Sequence, residues 1–353
     1  MSLLRTLATT FNARRRVHDG ESQGREQGGS GVLRRDAESS RQEGYESLFV
    51  TAPDDLRLHV RIYGARTATA LPVVCLPGLA RTAADFHDLA TALAAAPAKP
   101  RLVVTLDYRG HGRSDYDSQP RNYGLGRDLA DLVAVLAALN IVSAIVVGTS
   151  HGGVLALMLA RARPSLIAGA ILNDIGPVIE PRAVLQMKGY IGKLPVPRDF
   201  AEGGEILRQL FGARFPKLTA RDWTAFAQRT WREHRGALAP DYDVRLARTL
   251  EANWEHSPTT LWEAFDALAG VPLMIIRGAC STMLSPATLD AMLARRAALN
   301  VAVVPDQGHA PILDEPKLLR RMAAFVASCD VPDTQPDRAA AASWTGGEPK
   351  FAV

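Results

Sequence analysis

Gly148-Thr149-Ser150-His151-Gly152-Gly153 follows Ser143-Ala-Ile-Val-Val147 and precedes Val154-Leu-Ala-Leu-Met-Leu-Ala160. The first flank is a short, β-branched apolar run and reads as a buried strand; the second reads as an apolar helix. A serine between small residues at such a junction is the G-x-S-x-G elbow. The turn is so tight that side chains at 148 or 152 would collide with the neighbouring strand or helix. It lifts the Ser150 hydroxyl above the sheet edge, with a helix N-terminus behind it that favours developing negative charge.

Working outward, the same alternation recurs. Upstream, Ser47–Thr51 and Leu56–Tyr63 flank a Pro53-Asp-Asp55 turn and read as a hairpin. Leu71–Leu76 and Arg101–Leu106 are buried strands, each followed by a helical segment, at about 82–95 and 123–139. Downstream, Leu166–Leu172 is a strand that ends at Asn173-Asp174. Residues 177–269 have helical patterning and no convincing strand. Strand and helix then resume with Val271–Ile276, a helix at 286–297, Val301–Val304, Gly308-His309 and a last helix at 315–327. Such a pattern predicts an α/β fold with a mostly parallel central sheet covered by helices on both faces. In such sheets ligands bind beyond the carboxyl ends of the strands. Pro77-Gly-Leu79, Ser150, Asp174, the 280–284 loop and His309 all fall just past strand ends, so one cleft can gather them.

The expected organisation is a core of residues 45–176 and 270–330, a helical lid of 177–269 inserted after the sixth strand, and disordered ends at 1–44 and 331–353. The N-terminal stretch, with Gly28-Gly-Ser-Gly31, carries too few apolar residues to pack. The chain has 353 residues, 47% hydrophobic and 22% charged, with a net charge of only +4. Its arginines are scattered, which argues against a nucleic-acid partner and leaves a small-molecule substrate. Cysteines 75, 280 and 329 include no C-x-x-C pair, so neither a disulfide framework nor a zinc site is expected and the compartment reads as reducing and cytoplasmic. No apolar run is long enough for a membrane span. There is no G-x-x-x-x-G-K-[ST] stretch, and Gly124-Leu-Gly126 lacks the third glycine of a dinucleotide loop, so no cofactor is implied.

Leu76-Pro-Gly-Leu79, Asp107-Tyr-Arg-Gly-His-Gly-Arg-Ser114, the 148–153 elbow and Gln307-Gly-His309, in this order, resemble the α/β-hydrolases over residues 45–330. The resemblance implies Ser150 as nucleophile, His309 as the base that takes its proton, and an oxyanion hole from the backbone N–H groups of Leu79 and His151. The imidazole of His151 is not needed for that role.

The sequence departs from the family pattern at the acid. Where the family carries an aspartate in a loop resembling R-G-x-x-S-D, this chain reads Arg277-Gly-Ala-Cys-Ser-Thr282. Threonine cannot stabilise an imidazolium by charge, and loss of the acid costs roughly 10⁴ in rate. Asp174 is the candidate replacement, since some α/β-hydrolases supply the acid from that strand; it can equally serve only to cap the entry into the insertion. Asp290 and Asp314 read as structural. His111 reads as a brace for its loop, and His87, His234 and His256 read as surface residues. The aromatic residues of 177–269 divide between the insertion's own core and an apolar pocket above Ser150. Arg214, Arg229, Arg232 and Arg245 either pair with a substrate carboxylate or face water. The activities compatible with these residues are hydrolysis of a small apolar ester, lactone or thioester, acyl transfer or C–C bond hydrolysis on the same Ser-His pair, and, because of Thr282, a catalytically weak ligand-binding role.

Overall fold

The computed structural model describes residues 33–35, 44–248 and 260–330. Among these residues there are eleven strands: β1 (Leu33–Arg35), β2 (Glu46–Thr51), β3 (Arg57–Tyr63), β4 (Val73–Leu76), β5 (Val103–Leu106), β6 (Ala144–Thr149), β7 (Ile167–Asn173), β8 (Trp231–His234), β9 (Ala237–Pro240), β10 (Leu273–Gly278) and β11 (Asn300–Val304). Nine of them form one sheet in the order β1-β2-β3-β5-β4-β6-β7-β10-β11. Pairing is antiparallel from β1 to β5 through β2 and β3, and parallel from β5 to β11.

The helices are α1 (His87–Ala94), α2 (Leu125–Ala138), α3 (His151–Ala162), α4 (Pro181–Tyr190), α5 (Phe200–Phe211), α6 (Ala220–Gln228), α7 (Trp262–Asp266), α8 (Pro286–Arg295) and α9 (Pro316–Ser328). Period-two alternation on β4 shows how they cover the sheet. Val74 and Leu76 pack among residues of α2, α3, α7 and α8. Val73 and Cys75 pack on the other face among Leu89 and Leu93 of α1 and Met322, Phe325 and Val326 of α9. Helix α3 is buried from Gly152 to Ala160, because α2 and α7 close over the side that the sheet does not cover. That burial explains why its sequence is apolar all round.

Three details differ from the sequence reading. Residues 33–35, placed there in the disordered extension, pair antiparallel with β2 as an edge strand, Leu33 opposite Val50. The insertion therefore follows the seventh strand rather than the sixth. The rest of the expected extension before Gly44, and the expected tail 331–353, lie outside the described residues, as does His256. The insertion is also not wholly helical, since β8 and β9 form a hairpin with Trp231 opposite Pro240 and His234 opposite Ala237. Its two-residue turn is Arg235-Gly236, both at positive φ (+51° and +79°), the conformation that matches strand twist. Finally, α7 packs against α3 and places Phe265 in the main core, so the core resumes before residue 270.

The insertion has a core of its own, built from Leu207, Phe215, Trp223, Ala227, Trp231 and Leu238. It is tied to the loop after β5 by backbone and side-chain bonds: Gly112 N–H to the Asp241 carbonyl, Asp243 N–H to the Gly110 carbonyl, and the Tyr123 hydroxyl to the Asp243 carboxylate. That loop is in turn fixed by Arg109. Its fully buried guanidinium donates to Asp131 at 2.7 and 2.8 Å, to Asp117 at 2.7 Å and to Asp54 at 3.1 Å.

Candidate active site

Ser150 takes φ +50° and ψ −113°, a strained backbone for a side chain other than glycine. The strain is held by close approach on both sides. A Cβ on Gly152 would overlap the Leu76 carbonyl, and one on Gly148 would overlap the Gly152 carbonyl. The Ser150 N–H donates to the Asn173 carbonyl at 3.1 Å, which fixes the turn to the next strand.

The Ser150 hydroxyl lies 2.8 Å from His309 Nε2, and His309 Nδ1 lies 2.8 Å from Asp174 Oδ2. A carboxylate only accepts, so the ring proton is on Nδ1 and Nε2 is left to accept from the serine. Asp174 is fully buried, at φ +56°, just past β7. β7 lies between β6, which leads to Ser150, and β10. Its carboxylate accepts from the Gly278 N–H at 3.0 Å and from the Ser281 hydroxyl. The last residue of β10 and the loop after it, where the family pattern has its acid, thus supply donors to a carboxylate from the neighbouring strand. Thr282 is exposed and donates to Gln186 of α4 at 3.0 Å. Asp290 and Asp314 are exposed and are not bonded to His309.

On the other side of Ser150, His111 donates from Nδ1 to the Arg109 carbonyl at 3.0 Å and accepts at Nε2 from the Ala80 N–H at 3.2 Å. Its burial pushes its pKa down, which suits the neutral ring that this bonding requires. His111 therefore braces the 77–80 loop and engages the Ala80 N–H. The N–H groups of Leu79 and of His151, the first residue of α3, have no protein acceptor among the described residues. The His151 imidazole is turned aside to Asp128 at 2.9 Å and meets Tyr108 edge-on. His87, expected at the surface, is half-buried and accepts from the Tyr63 hydroxyl at 3.2 Å.

A cleft opens beside Ser150 and His309. Its walls come from the 78–81 loop and from the insertion, with Met187, Tyr190, Leu207, Phe211 and Phe226 among them. The insertion's aromatic residues divide accordingly: Trp223 and Trp231 are buried in its core, whereas Tyr190, Phe211, Phe226 and Tyr242 border the cleft. A second Ser-His-Asp array shows why the cleft matters. Ser47 Oγ lies 2.7 Å from His59 Nε2, and His59 Nδ1 lies 2.8 Å from Asp107. All three are buried, and none borders the cleft; Asp107 instead accepts from the N–H groups of Ala83 and Arg113 and ties loops together. Among the described residues no group of three His, Cys, Asp or Glu is arranged to hold a metal ion, and no helix is long and apolar enough to cross a membrane.

A mostly parallel sheet flanked by helices, with a serine at a strand–helix elbow facing a histidine and an aspartate that follow other strands of the sheet, defines a hydrolase of the α/β type. The chain belongs to the alpha/beta hydrolase family, whose model matches residues 73–322. It is 32% identical over 252 residues to the 3-hydroxybutyrate-oligomer hydrolase of Cupriavidus necator, covering 69% of this chain and 84% of that one. It is 26% identical over 294 residues to the sn-1-specific diacylglycerol lipase ABHD11 of Danio rerio, covering 81% and 85%. A crystal structure of an alpha/beta hydrolase from Novosphingobium aromaticivorans matches with a TM-score of 0.74 and 36% identity over 80% of this chain and 98% of that one.

Proposed function

We propose that this hydrolase cleaves a carboxylic ester through an acyl-enzyme on Ser150. His309 takes the serine proton as the hydroxyl attacks the carbonyl and returns it to the departing alcohol. Asp174 orients the imidazole and stabilises its charged form. The N–H groups of Leu79 and His151 receive the oxyanion, and His111 acts through the loop it braces. Water, activated by the same imidazole, then releases the acid. Residues 177–248 act as the lid whose inner wall, with Met187, Phe211 and Phe226, shapes an apolar pocket.

The observation that carries this reading is the unbroken chain from Ser150 Oγ through His309 to Asp174, opening on the cleft. The relatives lend it a bond type, since a hydroxybutyrate oligomer and a diacylglycerol are both esters. The weak-binder reading rests on Thr282, whereas the Asp174 carboxylate, 2.8 Å from His309 Nδ1, supports the ester-hydrolase reading. Labelling with a fluorophosphonate tests the proposal. Prompt labelling, together with turnover of p-nitrophenyl esters, is expected and should vanish in Ser150→Ala; folded protein that neither labels nor turns over would overturn it. Running the assay with added alcohols or thiols separates hydrolysis from acyl transfer by the product formed.

A further inference from the structure

One end of the cleft is not apolar. Arg81, Asp85 and Arg229 are its charged lining residues. Arg81 and Asp85 satisfy each other. The guanidinium donates to both carboxylate oxygens, at 2.7 and 2.5 Å, and its remaining nitrogen donates to Thr230 Oγ1 at 2.7 Å. Among the described residues Arg229 has no such closed arrangement. Its Nε is 3.6 Å from Asp85 Oδ1, beyond hydrogen-bond reach of a carboxylate that Arg81 already occupies. Its guanidinium carbon lies 6.0 Å from the Phe226 ring centroid. Asp314, at the surface, feels the Arg229 charge but is not bonded to it. Two cations thus share one carboxylate within a cleft whose other walls are mostly apolar. The remaining arginines that sequence alone left open are used elsewhere: Arg245 on Asp243, Arg232 on the Gly112 carbonyl, and Arg214 on Gln186.

A surplus guanidinium in a half-enclosed cleft is a binding site for a planar anion, because its N–H fork matches carboxylate geometry. We propose that the substrate carries a free carboxylate in addition to its scissile ester, and that Arg229 binds it, with the Arg81–Asp85 pair holding the floor of that subsite. This rests on the ester-hydrolase reading and names the class of ester.

The test pairs mono-p-nitrophenyl adipate with its methyl ester, two substrates that differ in one charge. Wild-type enzyme is expected to prefer the acid in kcat/KM. Arg229→Gln should cut that preference about tenfold or more, mainly through KM for the acid, the scale of one charge-assisted hydrogen bond. Arg229→Lys should restore part of it. A wild-type preference for the neutral ester, or a preference unchanged in Arg229→Gln, overturns the proposal. A binding arm separates this from failure of the hydrolase reading: in Ser150→Ala protein, monomethyl adipate should raise the melting temperature more than dimethyl adipate does. Loss of that difference in the Ser150→Ala/Arg229→Gln protein supports the subsite even if no ester is turned over. Equal shifts by the two adipates overturn it.

Discussion

At the scale of single residues, the site depends on where one carboxylate originates. Asp174 reaches His309 at 2.8 Å, while Thr282, in the position the family pattern reserves for the acid, bonds outward to Gln186. Asp174→Asn should therefore lower kcat by about 10³–10⁴, because the imidazole loses its charge partner and its tautomer. Thr282→Ala should leave turnover nearly unchanged. Steady-state kinetics on one p-nitrophenyl ester decides between them, and a steep loss in Thr282→Ala with a neutral Asp174→Asn would reverse the assignment. That Ser150 and His309 meet was legible from sequence because each sits in a motif bound to one strand end. Asp174 was legible only as one of two readings, since an Asx residue after a strand is also a turn former. The donors from Gly278 and Ser281 were not legible, because they depend on β10 lying next to β7 in the sheet rather than on any local spacing. Arg229 stood among four arginines that sequence could not separate; its distinction is where the chain folds it.

At the scale of elements, the buried β-branched strands and their intervening helices were readable, since burial on both faces leaves a continuous apolar run. The hairpin of β8 and β9 was not. Its turn is Arg-Gly rather than Asn-Gly, and its strands alternate with charged residues, so the period-two signal is faint beside the helices around it. Trp231 anchors it: the indole is almost wholly buried in the insertion's core, yet its Nε1–H has no partner among the described residues. Trp231→Ala should destabilise by about 3–5 kcal/mol, the usual cost of emptying a large aromatic site. Trp231→Phe should cost much less, because it keeps most of the apolar contact and removes a buried donor whose lack of a partner costs about 1–3 kcal/mol. Urea unfolding of the two variants, with limited proteolysis to report on the insertion, measures the difference. Equal losses would mean that the indole N–H does find a partner.

At the scale of the whole molecule, insertion and core meet at the loop after β5, and that junction carries a titratable group. Asp241, at the end of β9, accepts through its backbone from Gly112 while its side chain is drawn into the junction. Burial, reinforced by repulsion from Asp107, pushes its pKa up to about 7; Arg232, 3.5 Å away, offsets this only in part. In the unfolded chain an aspartate ionises near its ordinary value of about 3.9. Between these two values the folded protein holds a proton that the unfolded chain has released. Its stability contribution is therefore complete below about pH 4 and is lost as pH rises through 7. Asp241→Asn removes the titration and keeps the shape. The variant's melting temperature, relative to wild type, should rise from pH 4.5 to 7 and then level off, reaching a gain of about 1–2 kcal/mol at pH 8 once the group's partial exposure is allowed for. Calorimetry of both proteins across that range measures it. A constant difference, or one that shrinks as pH rises, would show that Arg232 stabilises the Asp241 carboxylate more than burial disfavours it.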